Sequence, residues 1–238
     1  MASLILNRFR LHPEICCTDG WHDAIDRIDP EFMPNLERAV ATMDFWKCFD
    51  KDSSEKTKKG KKVLSPIIMN QHIETELKPL GYGKLTSDNY YPETFADAKR
   101  LRDIPHKDRK DFLAREAIPH TSGFIEGDFF RSGLLLEVQF GKYPFVDWDI
   151  DKSIEFFKRR MIRGGCVLVP MRSTQSLMST GPANWQTAMG MFAEKRLDET
   201  LDFPFALIGL ETDLTGELPK GVKRPKPQNV IDQFSLPL

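Results

Sequence analysis

Residues 126–145 read EGDFFRSGLLLEVQFGKYPF: Glu137 and Gln139 interrupt the apolar run LLLEVQF, and Asp128 stands in the strand-like segment before it. A strand interior excludes such groups unless they find partners, because burying a lone polar group costs about 2–7 kcal/mol. Side chains alternate along a strand, so Leu134, Leu136, Val138 and Phe140 share one face, and Leu135, Glu137 and Gln139 share the other. Arg131-Ser132-Gly133 is a turn. If the chain reverses there, Phe130 faces Leu135, Phe129 faces Leu136 and Asp128 faces Glu137, with cross-strand Cβ atoms about 4.5–5.5 Å apart. Two carboxylates that close ionise together only with a cation between them. Hard oxygen ligands of this kind suit Mg²⁺, which retains several waters. The same spacing also fits a solvent-facing acidic pair on the wet side of a hairpin.

The elements around this hairpin predict an α/β protein with a mixed sheet, antiparallel first and parallel later, flanked by helices. Strands are expected over 124–130, 134–140, 166–171 (CVLVPM) and 205–210 (FALIGL), and helices over 150–163, ended by Gly164-Gly165, and 184–200. Further forward, periodicity predicts helices over 35–49, after Pro34, and 66–80, with short ones near 95–102 and 107–117. The hydrophilic segment 51–62 reads as a solvated loop and the basic, proline-rich tail from 211 as extended. The whole, 1–238, reads as one domain: helical additions over 1–120, a core over 121–210 and the tail.

Composition narrows the class. The 238 residues are 40% hydrophobic and 29% charged, a normal globular balance, with a formal net charge of −1. That total leaves room for a local basic face. Cys16, Cys17, Cys48 and Cys166 have no zinc-site spacing and are expected as reduced thiols. Neither a signal-peptide core nor a membrane-length apolar run is visible, so a cytoplasmic protein is expected. There is no G-x-G-x-x-G, P-loop or G-x-S-x-G motif, which argues against a cofactor-dependent metabolic enzyme.

Asp128, Glu137 and Gln139 resemble the Asp-x8-Glu-x-Gln variant of the PD-(D/E)XK nuclease signature, in which glutamine takes the usual lysine position. EVQFGKYPF at 137–145 resembles the EVQF-x-x-Y segment of type II restriction endonucleases of the BglII/BstYI type. MSTG at 178–181, followed by an aromatic residue and Gln186, is similar to the recognition loop and next helix of the BstYI branch. The similarity covers about residues 123–210.

The resemblance implies a restriction-endonuclease-like core and Mg²⁺-dependent hydrolysis of double-stranded DNA at a short palindrome, with a GATC centre as the family-level expectation, leaving 5′-phosphate and 3′-hydroxyl ends. It further implies a restriction-modification system, with a methyltransferase acting on the same site, and a prokaryotic cytoplasm. Asp128 and Glu137 would ligate the metal, with the main-chain carbonyl of Val138, and Gln139 would orient the attacking water. Lys142, whose type suits the guanine edge, Arg172, Ser179, Thr180 and Asn184 are expected to touch DNA. Ser179 or Thr180 also fits as a helix N-cap. Lys56–Lys62 and Lys223, Arg224 and Lys226 are candidate backbone clamps or idle surface. Double-strand cleavage implies a homodimer, with helices 35–49 and 66–78 as candidate seam. The acidic run Phe145–Asp149 departs from the pattern near Lys142 and puts the family's own specificity in doubt. A nicking or mismatch-repair endonuclease, or a non-cleaving DNA-binding module, uses the same scaffold.

Overall fold

The computed structural model describes residues 8–53, 58–179 and 181–214. Its elements in chain order are β1 (Arg8–Cys17), α1 (Trp21–Ile28), α2 (Phe32–Ala41), α3 (Phe45–Cys48), β2 (Lys51–Asp52), β3 (Lys62–Val63), α4 (Pro66–Leu77), β4 (Gly83–Pro92), α5 (Phe95–Arg102) and α6 (Arg109–Arg115). They continue with β5 (His120–Arg131), β6 (Leu134–Val138), α7 (Pro144–Lys158), β7 (Gly164–Pro170), α8 (Arg172–Gln175), α9 (Trp185–Glu194), α10 (Leu197–Thr200) and β8 (Phe205–Asp213).

A six-stranded sheet runs β1-β8-β7-β6-β5-β4. The inner β6-β7-β8 pairs are parallel, and β5, β4 and β1 are added antiparallel. Alternation divides the sheet's two faces. Leu134, Leu136, Leu168 and Ile208 pack with Trp21, Leu36, Val40, Met69 and Ile73 from α1, α2 and α4. Leu135, Val167, Val169 and Leu207 pack with Val146, Ile150, Trp185 and Phe192 from α7 and α9. The mixed sheet matches expectation, antiparallel hairpin first and parallel strands after it.

The hairpin register is the expected one: Phe129 pairs with Leu136, Phe130 with Leu135 and Arg131 with Leu134. Ser132 and Gly133 carry positive φ of 55° and 98°, the two-residue turn whose twist matches that of its strands.

Several boundaries differ from expectation. Residues 35–49 do not form one helix: α2 starts earlier, at Phe32, and breaks after Ala41, and Asp44 caps the separate α3 by accepting from the Trp46 and Lys47 amides. Pro34 sits inside the first turn of α2, where no intrahelical N–H is needed. The helix expected over 150–163 runs instead from Pro144, with proline at its first position, to Lys158. Gly164 and Gly165, taken as that helix's stop, open β7. The helix expected at 184–200 is two, α9 and α10, separated at Arg196, whose φ is 52°. The first 120 residues also supply both edge strands, β1 and β4, as well as helices.

β5 outruns β6. Beyond their short ladder, β5 pairs only with β4, from Leu85↔Gly127 to Pro92↔His120. At the far end of this ribbon α5 and α6 close over a small apolar cluster of their own, Leu101, Phe112, Leu113 and Ile118.

The cysteines are free thiols, as expected. Burial pushes Cys48 up to about 12 and raises Cys166 as well, so both stay protonated and unreactive. Among the described residues no helix is long and apolar enough to cross a membrane.

Arg131 ties the front helices to the hairpin. Its guanidinium donates twice to the buried Asp29, at 2.7 and 2.5 Å, once to the Leu80 carbonyl, and lies 4.6 Å from the Tyr82 ring centroid. Arg131→Met leaves Asp29 buried without its partner, and the expected loss is about 3–5 kcal/mol in urea unfolding.

Candidate active site

Asp128 and Glu137 flank the point where β5 and β6 part, near enough for the charge of one to act on the other. Gly83 pairs with Phe130 and Leu85 with Gly127, so Asp128 and Phe129 together face the single residue Lys84. That is a β-bulge, a device that re-aims side chains beside functional sites. The β5–β6 ladder stops at Phe129↔Leu136. Continued one step, that register would set Asp128 opposite Glu137, but the ladder does not extend to that pair. In place of the next ladder bond, Asp128 Oδ2 accepts the Val138 N–H at 3.1 Å. Lys84 reaches Glu126 at 2.9 Å and Asp128 Oδ1 at 3.6 Å. The half-exposed Asp128 lines a cleft of about 190 Å³ with Asn70, Glu74, Tyr82, Lys84 and Val138.

Glu137 is 1% exposed. Its Oε2 accepts from Lys152 Nζ at 2.9 Å, whereas its buried Oε1 has no hydrogen-bond partner among the described residues. Gly127 makes room beside it: a Cβ there would lie 2.5 Å from Leu135 Cδ1 and 3.3 Å from Glu137 Oε1. Lys152 also reaches Asp149 Oδ1 at 3.0 Å, and Asp149 Oδ2 accepts from Gln139 Nε2 at 2.7 Å. Gln139 Oε1 accepts the Gly141 N–H at 2.8 Å.

Negative charge is in excess here. Burial pushes Glu137 up to about 8 against the opposing pull of Lys152, and Asp128 and Asp149 add to the rise. Asp149 is raised by burial too, opposed by Lys152 and the Gln139 amide. Burial alone would lower the Lys152 ammonium, but Glu137 and Asp149 turn its shift upward, so it stays charged. Two buried acids thus share one ammonium. A proton or an added cation must balance the remaining charge.

The residues fit a divalent ion in one specific way. Among the described residues no three His, Cys, Asp or Glu side chains form a ready cage. Mg²⁺ does not need one, since it binds through one or two carboxylates and keeps waters and substrate phosphate oxygens. The partnerless Glu137 Oε1 is an acceptor without a donor, and the neighbouring Asp128 is half open to solvent.

The remaining expected residues lie on two touching loops. Lys142 forms an isolated antiparallel bridge with Pro182, and the Ala183 N–H donates to the Gly141 carbonyl at 2.9 Å. Lys142 is exposed. The Ser179 hydroxyl accepts from Lys51 at 3.3 Å, and Thr180 lies outside the described residues. The N-cap of α9 is Asn184, whose Oδ1 accepts from the Thr187 amide, so Ser179 does not have that role. Arg172 opens α8, exposed, and its backbone N–H donates to Gln186 Oε1 at 3.0 Å. Of the Lys56–Lys62 run, Lys58 binds the Ser176 and Met178 carbonyls, and Lys62 pairs with Asp50 and Asp52. These two are occupied within the chain. Lys56 falls outside the described residues, as do Lys223, Arg224 and Lys226.

Asp149 and Lys152 were not foreseen as site residues. Their signal, an Asp-x-x-Lys pair on one helical face, emerges only once α7 is known to begin at Pro144.

The family model described as "Restriction endonuclease BglII/BglIII" matches residues 27–210. The chain belongs to the BglII/BglIII restriction endonuclease family. It is therefore a type II restriction endonuclease. Among solved structures, BglII complexed with a DNA 16-mer superposes with a TM-score of 0.56 at 23% identity, covering 82% of this chain and 77% of that one. Free BglII superposes with a TM-score of 0.50 at 19% identity, covering 82% and 78%. At these identities BglII supports the fold alone. A comparison with curated proteins finds no match.

The charge imbalance sets a pH dependence. Glu137 binds its proton more tightly folded than unfolded, so its contribution to stability is full below about 4.5 and is lost as pH rises through about 8. In chelator, the wild type is expected to lose stability between pH 5 and pH 8. Glu137→Gln flattens that decline and is the more stable protein at pH 8. Urea unfolding of both proteins at the two pH values measures it.

Proposed function

We propose that this protein is a Mg²⁺-dependent endonuclease that hydrolyses both strands of DNA at a short palindromic site, with Asp128, Glu137 and Gln139 as its catalytic side chains. The observation that carries this reading is the buried Glu137 with one oxygen unpartnered, set beside Asp128 where two strands diverge. Membership of a restriction endonuclease family supplies the reaction class.

Asp128, Glu137 and the Val138 carbonyl would hold the ion. Bound there, it supplies positive charge at the scissile phosphate and acidifies water. Gln139 brings no charge. Its carbonyl oxygen has a second lone pair beyond the Gly141 contact and its NH₂ a second hydrogen beyond Asp149, enough to orient an attacking water. The products are a 5′-phosphate and a 3′-hydroxyl.

Sequence reading is assigned to Lys142, Arg172, Ser179, Thr180 and Asn184. The Lys142–Pro182 bridge supports this grouping by fastening the loop after Gln139 to the loop before α9. Lys142 is suited to the guanine O6 and N7 edge. A GATC-centred site follows from the retained EVQFGKY and STG segments. The bearing of Phe145–Asp149 on specificity changes, because these residues form the first turns of α7, with Asp149 buried and turned to Gln139.

A palindromic double-strand cut calls for two active sites, hence a twofold homodimer of one-domain subunits. The apolar faces of α2 and α4 are already buried against their own sheet, so amphipathicity no longer supports a seam there. Exposed Trp46 and Ile67, on α3 and α4, keep this region a candidate. In a prokaryotic cytoplasm, a methyltransferase acting on the same sequence would protect the host DNA.

Digesting methylation-free plasmid DNA with Mg²⁺ and sequencing the fragment ends gives site, overhang and strand number together. Asp128→Ala and Glu137→Ala are each expected to abolish cleavage while DNA affinity in Ca²⁺ stays near wild type. Cutting at the wild-type rate by either variant refutes the assignment.

A further inference from the structure

Gln139 leaves the strand without the ammonium that the commoner nuclease signature places there, yet an ammonium is present. Lys152 enters from α7 and meets three acceptors: the Glu126 carbonyl of β5 at 3.1 Å, Glu137 Oε2 of β6 at 2.9 Å and Asp149 Oδ1 of its own helix at 3.0 Å. An ammonium has three N–H groups, and here every one is used. The side chain is 11% exposed. Asp149, three residues earlier on the same helical face, uses its other oxygen to hold the Gln139 amide. Glu137 lies in β6 and Gln139 just past its end, and Asp149 and Lys152 are neighbours on one helix face. Together they close a ring of charge-assisted hydrogen bonds.

We propose that Asp149 and Lys152 are positioning residues that preset Glu137 and Gln139 as one unit. Lys152 fixes Glu137 by Oε2, and Asp149 fixes the Gln139 amide. The inference rests on the nuclease reading above and deepens it. Because Lys152 takes only one Glu137 oxygen, the unpartnered Oε1 is left for the metal. Because Asp149 takes one end of Gln139, the amide cannot rotate freely about its terminal bond. A lysine at position 139 would bring a second ammonium onto Asp149 and cancel the surplus negative charge, whereas the neutral amide leaves that surplus to be met by a cation. Neither positioning residue needs to touch DNA.

The test uses the full-length protein and a duplex carrying the site found by fragment-end sequencing. Three quantities are read: kcat and KM in Mg²⁺, and the half-saturating Mn²⁺ concentration for thermal stabilisation without DNA. Lys152→Met is expected to lower kcat about 10–100-fold and to raise the Mn²⁺ half-saturation by a similar factor, as loss of a group supporting a metal ligand does. KM should change by less than about threefold, because Lys152 supports the metal ligand and does not hold the DNA. Lys152→Arg should recover most of both losses. Asp149→Asn, the variant that keeps shape and carries the test if Lys152→Met does not fold, should lower kcat with KM unchanged.

Variants that melt earlier but keep wild-type kcat and Mn²⁺ response would overturn the proposal and leave Lys152 and Asp149 a purely structural role. If the wild type cuts, Asp128→Ala does not, and Lys152→Met cuts as wild type, only the positioning role falls. If the wild type neither cuts DNA nor responds to Mn²⁺, the nuclease reading falls with it.

Discussion

Everything at the candidate site depends on one electrostatic constraint. Two carboxylates, Glu137 and Asp149, lie between the sheet and α7 with a single ammonium to serve them. Water is largely excluded from this layer, so the surplus charge must be met locally. Burying the group is tolerable because Lys152 satisfies half of it and Gly127 keeps the other half free of carbon. A fully paired glutamate would be a structural ion pair, and an exposed one would be a weak, mobile ligand. Glu137 is neither, which makes it suited to receive a hydrated cation beside Asp128.

The surrounding fold places this imbalance at the point where β5 and β6 separate. The hairpin turn sets the register, the bulge at Asp128-Phe129 turns the first carboxylate toward Val138, and the parallel pairing of β6 with β7 holds Glu137 in the sheet. Helix α7 is fastened across the same face at two levels. Lys152 reaches the Glu126 carbonyl, and further along the buried Arg159 donates to Ser87, the Asp88 carbonyl, Asn89 and Glu155. The helix carrying the Lys152 ammonium is thus fixed to the edge strand that carries Lys84.

The β5–β6 hairpin was legible in the sequence because its register follows from two local rules, alternation along a strand and the short turn at Ser132-Gly133. The inner strands were legible as continuous apolar runs. The edge strands were not. β1 contains a proline and shifts register between Leu11 and Ile15, and β4 reads as polar because much of an edge strand faces solvent. Neither shows clean alternation. The start of α7 was hidden because Pro144 looks like a breaker in sequence and is an initiator in structure. That one misplaced boundary concealed Asp149 as a site residue and left Lys152 unremarked. The positions of Ser179 and Asn184 depend on how two loops touch, which spacing along the chain does not encode.

The β4–β5 ribbon has a consequence of its own. It leaves the body of the sheet as two strands alone and carries at its tip a separate miniature core built from α5 and α6. Cooperative units of this sort open at a lower free energy than the layers they spring from. A segment joined so narrowly can fray, be trimmed or be exchanged for a foreign insert while the central strands keep their packing. Only the tip beyond Asn89 has that freedom, because Lys152 and Arg159 hold the nearer part of the ribbon to the helix that supports Glu137.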